Sequence, residues 1–202
     1  MQESAGDATG GRGWATGGYD GEEAGCGPGA VDPQGSEVDA VSGEQAAVPT
    51  FGPEIELYFE DFQAGQHFAL GSTTIQEPEI LDFARRYDPQ PFHVSVDSAR
   101  ATIFGGLIAS GWQTAGIWMR LYCDSLLLRA ASLGSPGVED LRWMAPVRPG
   151  DLLVGSADVI STAPSTRHPA RGSVVIRGEL RDRDGASKMR LTAWGHFARR
   201  RH

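Results

Sequence analysis

From Gly111 to Ala130 the chain carries apolar side chains round most of a helical circumference, among them Trp112, Ile117, Trp118, Leu121, Tyr122 and Leu126. Three of its sparse polar residues, Gln113, Arg120 and Asp124, fall on one narrow stripe, which is expected to face solvent or a partner subunit. A helix apolar on nearly all sides must be covered by something. The residues after it change period. Val138–Met144, Asp151–Ser161, Gly172–Leu180 and Ser187–Ala198 alternate or run β-branched, with turns at Pro149-Gly150 and Asp184-Gly185; this is the pattern of strands. Four successive strands with short links predict an antiparallel meander. The fold class is therefore α+β: a curved antiparallel sheet wrapped around one long central helix.

The residues before the long helix read in shorter pieces. Residues 57–70 suggest irregular strand and loop, and Ser72–Gln76 a short β-prone segment. Pro78 suits the first turn of a helix. Ile80, Phe83, Ala84 and Tyr87 then mark one apolar helical face, at the spacing such a face requires. Pro89 ends that helix, because the residue before a proline is pushed out of the α region. A second short helix is predicted after Ser95, with Ser95 as N-cap and Asp97 in the first turn.

The first 50 residues are of another kind. They hold 12 of the 27 glycines and nine acidic residues against the single Arg12. That segment accounts for the whole formal net charge of −8, and residues 51–202 are neutral. Such composition cannot bury enough apolar surface to offset ordering entropy. Residues 1–52 are read as a disordered acidic tail and 53–202 as one domain of ordinary size.

The opening residues have no basic n-region and no apolar h-region. The uncharged run Ala101–Met119 is broken by glycines, Ser110 and Gln113, unlike a bilayer span of about 20 apolar residues. A cytoplasmic protein without membrane or nucleic-acid partners is expected. The two cysteines, Cys26 and Cys123, imply no disulfide framework. His67, His168, His196 and His202 show no ligand spacing, so no metal site is expected. Arg199-Arg200-Arg201 reads as a solvated terminus.

The segment Asp88-Pro89-Gln90-Pro91-Phe92-His93 is where chemistry is expected. Two prolines fix backbone angles on either side of Gln90. The stiffened segment presents an acid and an imidazole five residues apart, a pair able to hold one water and move protons near neutral pH. Gly111 stands at the head of the long helix, where N–H groups lack intrahelical partners and suit a developing oxyanion. A glycine there would let a substrate carbonyl approach the backbone closely.

These residues resemble the MaoC-like dehydratases, a hot-dog-fold family that includes (R)-specific enoyl-CoA hydratases. The family pattern is Asp-x-Asn-Pro-x-His-x-Asp, then a glycine at the head of the central helix. Here it reads Asp88-Pro89-Gln90-Pro91-Phe92-His93-Val94-Ser95, then Ile108-Ala109-Ser110-Gly111. Arg142 to Asp151 looks like the strand–turn segment shared by hot-dog acyl-thioester enzymes. The likeness spans roughly Leu57 to Ala198.

It implies that Asp88 and His93 are the acid–base pair and Gly111 the oxyanion donor, with Gln90, Pro91 and Ser110 lining the substrate. The implied reaction is reversible hydration of a trans-2-enoyl thioester on coenzyme A or acyl carrier protein, without metal or cofactor, in a homodimer. Gln90 stands where the pattern has Asn, Ser95 where it has an acid, and Ser110 where a histidine is common. Two alternatives remain. One is a hot-dog thioesterase, for which Asp124 is the candidate carboxylate on the central helix; the other is a non-catalytic acyl-CoA-binding subunit.

Overall fold

The largely apolar character of residues 111–130 dictates the centre of the fold, but not the full length of the helix. In the computed structural model, which describes residue 52 and residues 54–200, the chain runs β1 (His67–Thr74), α1 (Glu77–Tyr87), α2 (Pro91–Val94), α3 (Val96–Arg100), α4 (Gly111–Ser125), β2 (Gly137–Trp143), β3 (Leu152–Pro164), β4 (Arg171–Arg181) and β5 (Ser187–Ala198). The disorder expected for residues 1–52 concerns, residue 52 apart, a segment outside the described residues. No helix among the described residues is long and apolar enough to cross a membrane.

All strand pairs are antiparallel, and the five strands lie in the order β1-β3-β4-β5-β2. The sheet packed on the long helix α4 is the expected α+β architecture. One part of the expectation is corrected: only β3, β4 and β5 form a meander. β2 pairs with β5 at the far edge, so the chain crosses from one side of the sheet to the other between β2 and β3. Local alternation identifies a strand but carries no information about its neighbour.

β1 also begins earlier than the β-prone residues suggest. It starts at His67 and passes a bulge between Ala69 and Gly71. The extra residue disrupts the alternation from which a strand is read.

The core lies between the inner face of the sheet and α4. Leu153, Ala157 and Val159 of β3, Val174, Ile176 and Leu180 of β4, and Met189, Leu191 and Phe197 of β5 are buried there. Trp118 is the largest fully buried side chain. Its ring fills the space a Cβ at Gly178 would need, and its Nε1 donates to the Ser156 carbonyl at 2.9 Å. That hydrogen bond satisfies the one polar atom a buried indole carries.

The helix is shorter and less covered than its composition suggests. It ends at Ser125, and Leu126 (φ −138) turns the chain into a single 3-10 turn over Leu127–Arg129. Trp112 is 61% exposed and Met119 45%. The polar stripe divides: Arg120 and Asp124 pair with each other on the exposed side at 2.7 Å, whereas Gln113 is buried.

Residues 58–61 are tied to residues 199–200. Arg199 binds Glu60 at 2.8 Å, and Arg200 binds Asp61 at 2.7 Å while lying 4.7 Å over the Tyr58 ring. Arg199 and Arg200 are thus ion-paired while remaining partly solvated; Arg201 lies outside the described residues.

Candidate active site

The site is built where α1 stops. Asp88 is the C-cap of α1, with its N–H on the Ala84 carbonyl at 2.9 Å and a non-helical backbone (φ −151, ψ 69). Pro89 forces that departure. Gln90 then caps α2, and Pro91 opens it. His93 therefore sits on a one-turn helix instead of a loop, which holds the imidazole more firmly than the prolines alone would. Ser95 caps α3, accepting from the Ser98 N–H at 3.1 Å, as its sequence position predicts.

The Asp88 carboxylate is held at both oxygens. Gln90 Nε2 donates to Oδ1 at 2.7 Å, and the Ser110 hydroxyl donates to Oδ2 at 2.6 Å. His93 Nε2 stands 3.4 Å from the same Oδ2. Burial by itself would raise the Asp88 pKa. The hydrogen bonds from Ser110 and Gln90, and the nearby imidazole, outweigh burial and hold the carboxyl below its ordinary range. Asp88 is therefore an ionised acceptor at neutral pH.

His93 is 4% exposed. Its Nδ1 lies 2.8 Å from the Ile108 carbonyl. A carbonyl only accepts, so Nδ1 carries a proton, and Nε2 is the ring nitrogen turned towards Asp88. The edge of the Phe92 ring packs on the imidazole, with centroids 4.5 Å apart. Nε2 and Oδ2 thus face each other, and a single water could touch both.

Ser110 is the N-cap of α4 and fully buried; its hydroxyl also accepts the Trp112 N–H at 3.2 Å. The segment leading to it is pinned by Ile108 N–H on the Phe92 carbonyl (3.2 Å) and Ala109 N–H on the Val147 carbonyl (2.8 Å). Val147 belongs to the crossing between β2 and β3, so the Arg142–Asp151 segment buttresses the site from behind. Gly111 opens α4, and its N–H has no acceptor among the described residues.

The structure adds a second reason for glycine at position 111. The space a Cβ would occupy is taken by the Trp143 ring, whose Nε1 donates to the Gly111 carbonyl at 2.8 Å. Sequence spacing offers no sign of this contact, because Trp143 arrives from β2, 32 residues on.

Of the residues singled out, Asp88, Gln90, His93 and Ser110 converge, and Gly111 adjoins them. Pro91 is exposed and acts on the site by starting α2. Asp124 lies at the other end of α4, paired with Arg120. Among the described residues no cluster of three or more His, Cys, Asp or Glu could hold a metal ion. Gln113, one turn beyond Ser110, is buried and donates to the Glu79 carbonyl at 2.9 Å, a placement that the polar stripe disguised.

A five-stranded antiparallel sheet on one long helix, with an acid and an imidazole at that helix's amino end, defines a hot-dog protein equipped for acid–base chemistry. Residues 61–172 match the family model of the MaoC-like domain, and the chain belongs to that family. It is 34% identical over 134 residues to the (R)-specific enoyl-CoA hydratase of Rhodospirillum rubrum, covering 60% of this chain and 88% of that protein. It is 34% identical over 121 residues to the 3-hydroxybutyryl-CoA dehydratase of Methylorubrum extorquens, covering 57% and 72%. A crystal structure of the MaoC-like dehydratase from Rhodospirillum rubrum superposes with a TM-score of 0.69 at 37% identity, covering 73% of this chain and all of that one.

Proposed function

We propose that the protein catalyses the reversible hydration of trans-2-enoyl thioesters, equivalently the dehydration of 3-hydroxyacyl thioesters, carried on coenzyme A or acyl carrier protein in the cytoplasm. The observation that carries this reading is that Asp88 Oδ2 and His93 Nε2 face each other 3.4 Å apart, each fixed from behind. Related proteins named as an enoyl-CoA hydratase and a 3-hydroxybutyryl-CoA dehydratase support it.

In this mechanism the water shared by the pair bonds through its oxygen to C3 of the substrate. One of its protons passes to the pair. The C2–C3 π electrons move towards the thioester carbonyl, whose enolate oxygen takes a hydrogen bond from the Gly111 N–H. The proton is then returned to C2, so water adds across the double bond with the pair left unchanged. One preorganised donor to such an oxyanion typically supplies about 3 kcal/mol, and the acid–base step about 10²–10⁴-fold.

A homodimer is part of the same reading. β1 and β2 are open sheet edges, and exposed edges are normally covered. Trp112, Trp143 and Met144 are exposed beside β2 and the head of α4, which supports a partner subunit there.

The test is loss of crotonyl-CoA ultraviolet absorbance, read beside release of free thiol. Absorbance loss without thiol release is expected, with Asp88→Ala and His93→Ala each lowering the rate by about two orders of magnitude or more. Thiol release as the main event would make the protein a thioesterase. Full activity in either variant would remove the pair from the mechanism.

A further inference from the structure

The segment between α3 and α4 is held at two points by neighbouring residues of the β2–β3 crossing. The Val147 carbonyl takes the Ala109 N–H at 2.8 Å. Beside it, Arg148 Nη2 donates to the Phe104 carbonyl. That carbonyl is the only hydrogen-bond partner of the guanidinium among the described residues. The Arg148 backbone is fixed in turn, its N–H on Asp151 Oδ2 at 2.9 Å. Glycine lets the loop come this close. Gly105 turns it with φ 65, and a Cβ at Gly106 would stand 3.3 Å from Arg148 Nη1. A hydrogen bond from a charged donor is among the stronger kinds.

The contacts that hold the far side of the His93 ring lie between those two points. The Ile108 carbonyl accepts from His93 Nδ1 at 2.8 Å, and the Ile108 N–H donates to the Phe92 carbonyl at 3.2 Å. The Phe104 ring packs on Phe92 with centroids 5.1 Å apart, and Phe92 packs on the imidazole at 4.5 Å. Residues 104–109 therefore form a strap across α2. α2 itself has four residues, too few for a helix to hold its own direction. A strap tied only at Ala109 would leave Phe104 free to draw back, and the packing on Phe92 would go with it.

We propose that Arg148 is a positioning residue for His93: it ties down the free end of the strap that fixes the imidazole. The inference rests on the hydratase reading above and adds to its machinery a residue that acts through Phe104 and Phe92 instead of on the reacting atoms. Two adjacent residues, Val147 and Arg148, then set both members of the acid–base pair. Val147 holds Ala109, whose neighbour Ser110 donates to Asp88; Arg148 holds Phe104.

The experiment compares the wild type with Arg148→Met, which keeps an apolar stem and loses every donor, and Arg148→Lys, which keeps one donating group. With crotonyl-CoA, kcat should fall about 10- to 100-fold in Arg148→Met while KM stays within about 3-fold, the pattern of a misplaced catalytic group. Arg148→Lys should fall between. Nuclear magnetic resonance should show the His93 Nδ1–H exchanging with solvent faster in Arg148→Met than in the wild type, again with Arg148→Lys between. A staple that only stabilises the fold would lower Tm and leave that proton unchanged in the folded molecules. Wild-type exchange in both variants overturns the proposal whatever the rate does, and so does an unchanged kcat beside faster exchange. Should Arg148→Met not fold, Arg148→Lys decides by the same two readouts. Should no enoyl-CoA be hydrated, the hydratase reading fails separately, and the exchange of the ring proton alone decides whether Arg148 holds His93.

Discussion

The Ser110 hydroxyl and Oδ2 of Asp88 stand 2.6 Å apart, although the two residues are 22 positions distant in the chain. The contact joins the end of α1 to the start of α4, and it places a donor on the oxygen that also faces His93. It is one of the two hydrogen bonds that keep Asp88 ionised against the cost of its burial.

Ser110→Ala tests that role. Asp88's folded pKa is depressed, so its charged form is present across the neutral range and is lost only as pH falls through the lowered value. Without the Ser110 donor the pKa rises towards the ordinary aspartate range. The acid limb of the kcat/KM profile for crotonyl-CoA should then move to higher pH, and the plateau should fall about 10-fold, since Gln90 retains the other oxygen. Ser110→Thr, which keeps a hydroxyl, should restore most of both. An acid limb that stays in place would show that Ser110 does not tune Asp88.

The contact between Gly111 and Trp143 makes a second prediction. A Cβ at position 111 would land within the Trp143 ring, which also donates to the Gly111 carbonyl. Gly111→Ala should displace the indole and destabilise the protein by about 1–3 kcal/mol, the usual range for overpacking. Trp143→Ala removes the obstruction. The double variant should therefore be more stable than the sum of the two single effects allows, because residues in contact are not additive. Thermal unfolding of the four proteins measures this; strict additivity would mean that the ring swings aside at no cost.

Much of this geometry was legible in the sequence wherever a local rule applied. Pro89 marks the end of α1, Ser95 caps α3, and alternation locates β2 to β5 within a few residues. Asp88, Gln90 and His93 are close in sequence and meet because two prolines and a one-turn helix leave them little freedom. The failures share a different cause. The place of β2 beside β5, the Trp143 ring on Gly111 and the arginines on Glu60 and Asp61 are contacts between distant segments. Periodicity is blind to them. Gln113 misled for a related reason: a polar residue on an apolar helix reads as surface, and only the position of α1 shows that this one faces inwards.

The tie between the two ends of the folded chain gives the last prediction. Glu60 accepts from Arg199 Nε at 2.8 Å and from the Arg200 N–H at 3.1 Å. Burial would raise the Glu60 pKa, but the bonds from Arg199 and Arg200 prevail and lower it below its ordinary value of 4.5. A depressed carboxyl contributes stability that is fully present above its unfolded pKa and is lost as pH falls through the folded one. Both partners are partly exposed, so solvent screening limits the pair to about 0.5–1 kcal/mol. Arg199→Ala should therefore lower Tm by roughly 1–4 °C at pH 7, given 2–4 °C per kcal/mol in a chain of this size. The gap between wild type and variant should narrow as pH drops below about 4.5, and also in molar salt at neutral pH. A gap of constant size under both conditions would show that Arg199 holds the termini by packing its stem and not by its charge.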